Sequence, residues 1–556
     1  MLRLTACSIV CLFGLSAILT AQANYSWVVN GIQAGDFAEI SDVAVDANGN
    51  SYVLLNYTEP VSFGSVSLNS IGEQDLAVVK FDPQGNALWG VNAGSATSDR
   101  GNSIALDNAG ACYVTGYITG DATFGIFPPI QDNLADLSTE FFVGKLSNAG
   151  QWLWVRQQSS QAIAEGRDIA VDNAGDVVVG GTFYAADLAL DGEVLQAGEQ
   201  LPFIAKYDAV GTIQWGFAPA ASNSATFSAL TITPDNWIGF TGSFGSGEVG
   251  ESIFTAGNIE LINQGDPEEL VTASDVYVLV LDAQGLPLWG QNAGSIYIEA
   301  YSSSIASGPD NQIYVSGYFQ DFMQSPDFSV EISALGGADD YDFFVGSINS
   351  SGNWDWLSSV GNESYNLGNL SLASSDNGVI YLAGSLNELP IEFGSDQLQA
   401  EGANASFIAR MFTDGSFQWG FALPELYTFE VLSENIIHAC GKFSGSVAFG
   451  DTTLSSTTAA SDVYHARIVY GPDLPSTADD AFSAAISVFP NPFTNILSFQ
   501  TEEEIEKVQI FDAIGRLVLE DSGSTKRIVL DHLHSGNYFI RFVGKRGLIT
   551  KSLVKL

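Results

Sequence analysis

The sequence predicts an all-β protein in which a seven-bladed β-propeller is followed by a small β-sandwich. Three observations predict the propeller. A short turn followed by tryptophan recurs along most of the chain, each repeat contains four strand-like segments, and the first and last repeats are incomplete in complementary ways. A fixed period of this kind is typical of repeat architectures such as propellers.

The recurring turn combines a polar residue, two spacers and a glycine, and an apolar segment then reaches tryptophan. Its clearest copy runs from Asp82 through Gly85 to Trp89. Asp or Asn can hydrogen-bond the turn backbone and Gly accepts a positive φ, so each copy predicts a hairpin turn. Trp27 is a partial copy without the turn. Successive tryptophans lie 62, 65, 61, 74, 67 and 63 residues apart, at Trp27, Trp89, Trp154, Trp215, Trp289, Trp356 and Trp419.

Each repeat contains four runs of β-branched and aromatic residues separated by turn residues, which is the pattern of short strands. In the second repeat the runs cover 103–107, 113–117 and 140–145, and the strand with Trp154 completes the unit. The second run carries a glycine near its end in most repeats, as at Gly116, whereas the first repeat has Leu55 there. Four strands in each of seven repeats predict seven blades.

The two ends of the repeat region complement each other. The strand with Trp27 precedes any first run, and the seventh repeat ends near Gly471 without a fourth strand. Pairing of 26–30 with 462–470 would close the ring and remove two exposed edges. A six-bladed ring and an open solenoid are the structural alternatives.

The charge distribution excludes two classes of partner. The net charge is −45, and residues 24–485 contain nine Lys and Arg against 56 Asp and Glu. Because binding to a phosphate backbone relies on clustered basic side chains, neither nucleic acid nor an anionic membrane surface is expected as a partner. Solubility in an extracellular setting explains the acidity.

Residues 1–23 have the features of a secretory signal peptide. Arg3 is followed by an apolar run from Leu4 to Ile18 and by the small-residue cleavage site at Ala21-Gln22-Ala23. No later apolar stretch is long enough to span a bilayer. Cleavage would leave only Cys112 and Cys440, which do not make a disulfide scaffold.

The last part of the chain predicts a separate domain. A linker at 472–485 follows the propeller at 24–471, and 486–556 contains short alternating strands with nine basic and eight acidic residues. Its motifs resemble the type A C-terminal sorting domain of the type IX secretion system of Bacteroidetes. The matching residues include Phe489, Pro490, Asn491, Pro492, Phe511, Asp512, Gly515, Arg516, Gly536, Tyr538 and Lys551.

This resemblance implies an immunoglobulin-like β-sandwich that is recognised by the type IX secretion machinery. It further implies passage through the outer membrane of a Gram-negative bacterium, cleavage near the linker, and release or attachment at the cell surface. A terminal sandwich used only for binding is the alternative, but it does not explain the set of motifs. The repeats themselves resemble the bacterial β-propeller repeat family, and 103–117 and 168–181 match it best. That family implies a scaffold with a binding surface and no agreed catalytic residues.

Few residues of the propeller suggest catalysis or metal binding. His438, Cys440 and His465 lie on neighbouring predicted strands and resemble a three-ligand zinc site, although satisfied core side chains are the alternative. Acid pairs at Asp339-Asp340 and Glu268-Glu269, and Asp342 beside the first pair, suggest glycoside hydrolysis, but chance pairs are expected among so many acids. The segment 46–50 faintly resembles a calcium loop, but its position in the repeat favours a plain turn.

Five basic residues recur at one position of the third strand: Lys80, Lys145, Lys206, Arg410 and Arg467. One hypothesis is a basic ring for an anionic ligand. The alternative is one outward, ion-paired side chain in each blade, near acids such as Asp75 or Glu140.

The sequence favours a secreted, non-enzymatic propeller that binds a glycan or a protein at the cell surface, as a monomer and without a cofactor. The long insertion at 245–274, with Gly250, Phe254 and Asn263, is the predicted specificity loop. A polysaccharide-degrading enzyme that uses acids on one face and a purely structural or adhesive surface protein are the alternatives.

Overall fold

A computed structural model describes most of the chain. The described residues are 24–33, 37–131, 134, 138–245, 252–263, 274–295, 299–335, 341–361, 370–375, 378–386, 390–393, 396–398, 405–433, 435–450, 452–456, 461–469, 487–489, 493–500, 505–512, 517–521, 526–531, 533, 536–544 and 547–555. The predicted signal peptide at 1–23 lies outside them. In this part of the chain, no helix has the length and apolar character needed to cross a membrane.

The described residues form 49 strands and one short 3₁₀ helix at Pro309–Asn311. The first half of the propeller contains β1 (Asn24–Gln33), β2 (Ala38–Val45), β3 (Ser51–Tyr57), β4 (Val61–Phe63), β5 (Val66–Leu68), β6 (Asp75–Phe81), β7 (Ala87–Gly94), β8 (Arg100–Leu106), β9 (Cys112–Ile118), β10 (Thr123–Phe124), β11 (Glu140–Leu146), β12 (Trp152–Gln157), β13 (Ile163–Val171), β14 (Val177–Tyr184), β15 (Leu188–Leu190), β16 (Glu193–Leu195), β17 (Leu201–Tyr207), β18 (Ile213–Phe217) and β19 (Ala220–Ala221).

The second half contains β20 (Ala229–Ile232), β21 (Ile238–Phe244), β22 (Ile253–Ala256), β23 (Ile259–Ile262), β24 (Asp275–Leu281), β25 (Pro287–Ala293), β26 (Ala300–Ser307), β27 (Ile313–Gln320), β28 (Phe322–Gln324), β29 (Glu331–Ser333), β30 (Tyr341–Ile348), β31 (Trp354–Val360), β32 (Ser371–Ser374), β33 (Ile380–Leu386), β34 (Ile391–Phe393), β35 (Asp396–Leu398), β36 (Ala405–Met411), β37 (Phe417–Leu423), β38 (Leu426–Ser433), β39 (Ile436–Phe443), β40 (Ser446–Phe449), β41 (Thr452–Ser455) and β42 (Asp462–Val469).

Seven antiparallel sheets of four main strands are arranged as a ring. Blades 1 to 7 are β2-β3-β6-β7, β8-β9-β11-β12, β13-β14-β17-β18, β20-β21-β24-β25, β26-β27-β30-β31, β32-β33-β36-β37 and β38-β39-β42-β1. The innermost strand of each blade contacts the innermost strand of the next, and β38 contacts β2. The predicted all-β propeller is confirmed, and this closed series of inner strands agrees with seven blades.

Burial explains the different patterns of the runs. The middle strands of a blade are covered by neighbouring blades on both faces, so β3 and β6 are buried at every residue. The inner strand β2 is buried at only four of its eight positions. The apolar second and third runs and the alternating first run reflect this difference.

Blade 7 is completed by the N-terminal strand. In the antiparallel pairing of β1 with β42, Trp27 lies opposite Arg467 and Gly31 lies opposite Val463. The pairing predicted between 26–30 and 462–470 is therefore present. A strand from each end of the propeller closes the ring, which an open solenoid would not do.

The turn and tryptophan of the repeat join neighbouring blades. Five of the repeat indoles donate their Nε1–H to a carbonyl in the hairpin turn of the following blade: Trp27 to Pro83 (2.9 Å), Trp89 to Asn148 (3.1 Å), Trp154 to Ala209 (3.2 Å), Trp215 to Ala283 (3.2 Å) and Trp356 to Thr413 (3.0 Å). The indole lies against the turn glycine, which has a positive φ of 76–84° in the same turns: Gly85, Gly150, Gly211, Gly285 and Gly415.

The turn itself is held by its first residue. The Asp82 carboxylate accepts the backbone N–H groups of Gln84 (2.9 Å) and Asn86 (2.8 Å). The Gly85 N–H bonds to the Asp82 carbonyl at 2.9 Å. The predicted hairpin turn is confirmed, and its polar residue and its glycine have the roles expected from their chemistry.

Small hairpins that the sequence did not reveal cover the outer edges of the blades. They lie between the second and third strands and include β4–β5, β15–β16, β22–β23, β28–β29, β34–β35 and β40–β41. In blade 1, β4 pairs with β1 of blade 7 while β5 contacts β7 of its own blade. The hairpins therefore bridge neighbouring blades and cover fourth-strand edges that would otherwise be open.

The C-terminal unit is a β-sandwich. Its strands are β43 (Ser487–Phe489), β44 (Ile496–Gln500), β45 (Ile505–Asp512), β46 (Leu517–Asp521), β47 (Arg527–Val529), β48 (Gly536–Gly544) and β49 (Gly547–Lys555). They form the sheets β43-β44-β47 and β46-β45-β48-β49, with a core that includes Phe499, Ile510 and Phe542. This arrangement is compatible with an immunoglobulin-like sandwich. The chain divides into compact units at 1–469 and 470–556, and the predicted boundaries at 471 and 486 lie at or beside the undescribed residues 470–486.

Candidate functional site: the mouth of the inner ring

The mouth is the end of the ring at which the inner strands begin. Near this end several inner strands contain one extra residue relative to their second strand; the register shifts lie between Gly101 and Ser103, Gly166 and Asp168, Ser302 and Ser304, and Leu426 and Thr428. A bulge of this kind redirects the side chains around it.

The glycine near the end of the second run explains how the inner strand can lie so close to the second strand of its blade. A Cβ at these glycines would overlap an inner-strand carbonyl: Gly116 with Arg100, Gly181 with Glu165, Gly317 with Tyr301 and Gly441 with Glu425. Only glycine permits this approach. In the blades that carry it, this glycine therefore places a residue at the start of the inner strand at an equivalent point around the mouth.

The five equivalent basic residues of the third strands do not contribute to this mouth. Lys80, Lys145 and Lys206 are only 5–8% exposed, and two of them pair with acids of the first hairpin turn. Lys145 lies 3.1 Å from Asp107 and Lys206 lies 2.6 Å from Asp172. The prediction of outward side chains near Asp75 and Glu140 was wrong. These lysines pack between blades, where aromatic rings such as Tyr113 cover the ammonium group of Lys145.

Three of the four remaining basic residues lie at the mouth, each paired with a carboxylate. Arg100 of blade 2 lies 2.8 Å from Glu39 of blade 1, and Lys442 lies 3.0 Å from Glu425 within blade 7. Arg167 pairs with Glu165 within blade 3. The side chains of Arg100, Lys442 and Arg167 are 28%, 35% and 45% exposed, so the charged groups reach solvent.

Two partly exposed tyrosines lie among these charges. The Lys442 ammonium is 5.3 Å from the centre of the Tyr427 ring. Tyr117 lies opposite Arg100 in the sheet. Burial raises the pKa of both phenols, and the neighbouring Arg100 and Lys442 oppose that rise. We call the set Glu39, Arg100, Tyr117, Glu165, Arg167, Glu425, Tyr427 and Lys442 the charged sector of the mouth; it spans blades 7, 1, 2 and 3.

A second aromatic group occupies blade 5. The ring centres of Tyr301 and Tyr318 are 5.3 Å apart, and those of Tyr318 and Tyr341 are 6.0 Å apart. Tyr301 takes the position that Arg100 has in blade 2. We call these three residues the tyrosine cluster.

Below the charged sector, acidic and hydroxyl side chains connect the inner strands. The Ser103 hydroxyl lies 2.8 Å from a carboxylate oxygen of Asp42 and 2.9 Å from one of Asp168. Burial raises the pKa of Asp42 to about 6. Glu430 is partly exposed, and desolvation, followed by the charge of Asp42, raises its pKa to about 8.

The histidines of the predicted zinc site form a buried pair. His438 Nδ1 and His465 Nε2 are 3.1 Å apart, and their other ring nitrogens are buried without a hydrogen-bond partner. Cys440 is buried in an apolar cluster with Val463 and Leu55. No group of three potential metal ligands occurs among the described residues, so the zinc hypothesis gains no support there. The pair packs against the indole of Trp27, with ring centres 4.9 Å apart for His465.

The other acidic candidates have structural roles or lie outside the described residues. Asp46 accepts the backbone N–H groups of Asn48 and Asn50 at 2.9 Å, as a plain turn requires. Asp342 is fully buried, and its carboxylate accepts the N–H of Leu335 at 2.5 Å. Residues 268–269 and 339–340 are not described.

The described part of the predicted specificity loop belongs to an outer hairpin. Phe254 of β22 is fully buried and stacks on Tyr277, with ring centres 4.4 Å apart. Asn263 is 5% exposed and accepts the Ser252 N–H at 2.8 Å. Gly250 lies outside the described residues, as do 246–251 and 264–273. Residues 252–263 therefore stabilise the rim of blade 4.

The predicted sorting residues lie in several strands of the C-terminal unit. Phe489 ends β43 and is 48% exposed, Tyr538 of β48 is 8% exposed, and the Arg541 guanidinium lies 4.7 Å from the Phe511 ring centre. Asp512, Gly536 and Lys551 lie in β45, β48 and β49. Pro490, Asn491, Pro492, Gly515 and Arg516 are outside the described residues.

Residues 487–556 match the family model described as the secretion system C-terminal sorting domain. The C-terminal domain is a type IX sorting domain. This confirms the resemblance seen in the motifs, and with it export by type IX secretion to the cell surface or the extracellular space.

Two curated proteins share part of the propeller sequence. An uncharacterized WD repeat-containing protein, L264, of Acanthamoeba polyphaga mimivirus is 28% identical over 161 residues, which are 26% of this chain and 11% of that protein. The regulatory protein FlaEY of Caulobacter vibrioides is 23% identical over 150 residues, 26% of this chain and 16% of its own length. The matches thus cover a small part of either relative.

Several solved structures are similar at low identity. YCF48 bound to D1 peptide has a TM-score of 0.37 with 10% identity, covering 81% of this chain and 98% of its own. A PL25 ulvan lyase has a TM-score of 0.35 with 8% identity, and the match covers 75% of this chain and 93% of the lyase. PorZ, a surface component of the type IX secretion system of Porphyromonas gingivalis, has a TM-score of 0.16 with 10% identity. That match covers 95% of this chain and 100% of PorZ. At these TM-scores the likenesses carry no functional argument.

Replacing the buried histidine pair should remove an acid sensitivity of the propeller. Burial, with the charge of Arg467 adding to it, lowers the pKa of His438 to about 4, and burial lowers that of His465 further. Below about pH 6.5 the histidines of the unfolded chain bind protons, while the folded imidazoles stay neutral. The unfolding free energy therefore decreases as the pH is lowered, by up to about 1.4 kcal/mol per pH unit for each histidine. The double substitution His438→Tyr and His465→Val should reduce this fall in urea titrations between pH 7 and pH 4.5.

The substituted residues are those found at equivalent positions, Tyr52 and Val78 of blade 1. Cys440→Ala is the control, because it removes packing from the same strand without removing an imidazole. If the unfolding free energy of the double variant depends on pH as steeply as that of the unsubstituted protein, the histidine pair is not the source of the acid sensitivity.

Glu430 should have the opposite effect. Its pKa of about 8 in the folded protein exceeds the ordinary value of 4.5, so the folded state holds a proton that the unfolded chain has lost between these pH values. The unfolding free energy therefore falls as pH rises from 4.5 to 8. As the pH rises over this range, the Glu430→Gln variant should become more stable relative to the unsubstituted protein. The Glu193→Gln variant, changed at an exposed site, should keep the same pH dependence of the unfolding free energy as the unsubstituted protein. Equal pH profiles for both variants would refute the assignment.

Proposed function

We propose that the propeller is a non-enzymatic glycan-binding module of the cell surface and that the charged sector of the mouth is its binding surface. The observation that carries this proposal is the placement of the basic residues. Of nine in the propeller, five recur at one position of the third strands and do not reach the mouth, and three of the other four lie at the mouth beside partly exposed tyrosines.

The chemistry of the charged sector suits a polar, uncharged ligand. Arg100, Arg167 and Lys442 each have a carboxylate partner, so donors and acceptors alternate without a large local excess of either charge. Sugar hydroxyls act as both donors and acceptors, and the apolar faces of sugar rings pack on aromatic side chains such as Tyr117 and Tyr427. Nothing in this set requires a cofactor.

Location supports the same ligand class. The sorting domain delivers the protein to the cell surface or the extracellular space, where polysaccharides are abundant. Loops and strand ends at one face of a rigid ring are where binding residues usually lie. Protein ligands and a purely structural role are the outcomes against which the proposal is tested.

A polysaccharide-degrading enzyme is the second candidate, and one observation favours it. Glu430 and Asp42 lie below the mouth with pKa values of about 8 and about 6, so Glu430 holds a proton at neutral pH and could act as a general acid. Product release from a polysaccharide that is lost in Glu430→Gln would support this candidate over simple binding.

The binding proposal is tested by a glycan array with the full-length protein, followed by affinity measurements. Tyr427→Ala should weaken binding of any glycan identified on the array by about tenfold, corresponding to about 1.4 kcal/mol of lost packing. Phe412→Ala is the control, because Phe412 is a 47% exposed aromatic residue in the turn after β36 of blade 6, which contributes no residue to the charged sector. If no glycan on the array binds, or if the control variant loses as much affinity as Tyr427→Ala, the proposal is overturned.

A further inference from the structure

The tyrosine cluster of blade 5 is a group of three rings that pack against one another and leave part of each ring exposed. Tyr301 and Tyr318 are tilted by 36°, and Tyr318 and Tyr341 by 59°, so the three rings are not coplanar. All three side chains are partly exposed. Each ring has a negative electrostatic potential on its face.

A carboxylate lies beside these rings. Glu299 precedes β26, is partly exposed, and lies close enough to the Tyr301 phenol for its negative charge to act on that group. Burial, followed by the Glu299 charge and the neighbouring Tyr318 and Tyr341, raises the pKa of the Tyr301 phenol. Three phenols and one carboxylate therefore meet at the start of the inner strand.

The surrounding chain supplies no competing cation. From Asp208 to Ala409 there are 25 Asp and Glu and no Lys or Arg. This stretch includes all of blades 4 and 5. In blade 6, Arg410 lies near the far end of β36, where it packs over Tyr381. The charged sector contains every cation of the mouth named above, whereas this side of the ring presents only negative charge.

We propose that Tyr301, Tyr318 and Tyr341, with Glu299 as countercharge, bind an alkylated ammonium group such as a trimethylammonium. Tyrosine faces attract such cations with about 0.5–2 kcal/mol for each favourable ring contact. A quaternary ammonium has no N–H group and makes no hydrogen bonds. Aromatic faces and a nearby carboxylate can therefore stabilise its charge without a hydrogen-bond acceptor directed at the nitrogen. An anionic ligand is disfavoured by Glu299 and the acidic surroundings.

The site is separate from the charged sector and does not depend on glycan binding there. Trimethylammonium groups occur on methylated lysine side chains and on choline headgroups. The two sources differ in the charge next to the ammonium, because phosphocholine also carries a phosphate. The acidic surroundings predict that a trimethyl-lysine peptide binds more tightly than phosphocholine.

The test is calorimetric or NMR titration of the full-length protein with choline and with 3,3-dimethylbutanol, its uncharged isostere. Choline should bind at least tenfold more tightly than the isostere. Tyr318→Ala should abolish binding, Tyr301→Phe should retain it within about threefold because the ring face remains, and Glu299→Gln should weaken it several-fold. Tyr117→Ala, on the charged sector, is the control and should leave choline binding unchanged.

Three results would overturn the proposal: equal binding of choline and its isostere, no effect of Glu299→Gln, or tighter binding of phosphocholine than of trimethyl-lysine peptide. Glu299→Gln keeps the test valid if Tyr318→Ala misfolds, since it changes the charge and little of the packing. Failure of this test leaves the glycan array result unaffected, so the two proposals can fail independently.

Discussion

The contact between a tryptophan of one blade and the turn glycine of the next is the interaction on which the propeller depends. The indole needs a flat backbone surface, and glycine at positive φ supplies it without a Cβ. The same indole donates to the turn carbonyl, as Trp154 does to Ala209. Seven blades contain only six such turns, because β42 of blade 7 pairs with the N-terminal β1 rather than continuing into a hairpin. Trp27 joins blade 7 to blade 1, and Trp419 is followed by no turn of this kind.

The mouth depends on the same ring. Glycines such as Gly116 and Gly441 let the inner strands of their own blades bulge towards the sheet, which places Arg100 and Glu425 at equivalent points. An ion pair between blades, such as Arg100 with Glu39, requires the inner strands to be in register around the axis. Surface ion pairs contribute little stability. The scaffold therefore determines the position of the charged side chains, and these remain available for a ligand.

The sequence predicted the scaffold well because it repeats. The tryptophan spacing and the complementary ends predicted the pairing of β1 with β42, and the motifs near Phe511 and Tyr538 predicted the sorting domain. The lysines were misassigned because alternation along a strand does not show which face meets a neighbouring blade. The short hairpins such as β4–β5 lack a strand-length signal. The charged sector has no motif, although removing the five equivalent basic residues from the nine would have left Arg100, Arg156, Arg167 and Lys442, three of which lie in the sector.

Two glycines of blade 3 allow the most direct test of the Trp–Gly contact. Gly175 and Gly211 have nearly equal φ values of 84° and 83°, but only Gly211 has a neighbour at its Cβ position, the Trp154 indole at 2.7 Å. Gly175→Ala should cost about 1–2 kcal/mol of unfolding free energy from backbone strain alone. Gly211→Ala should cost that amount and about 1–3 kcal/mol more, because the indole is displaced. Equal losses in urea denaturation would contradict the central role of this contact.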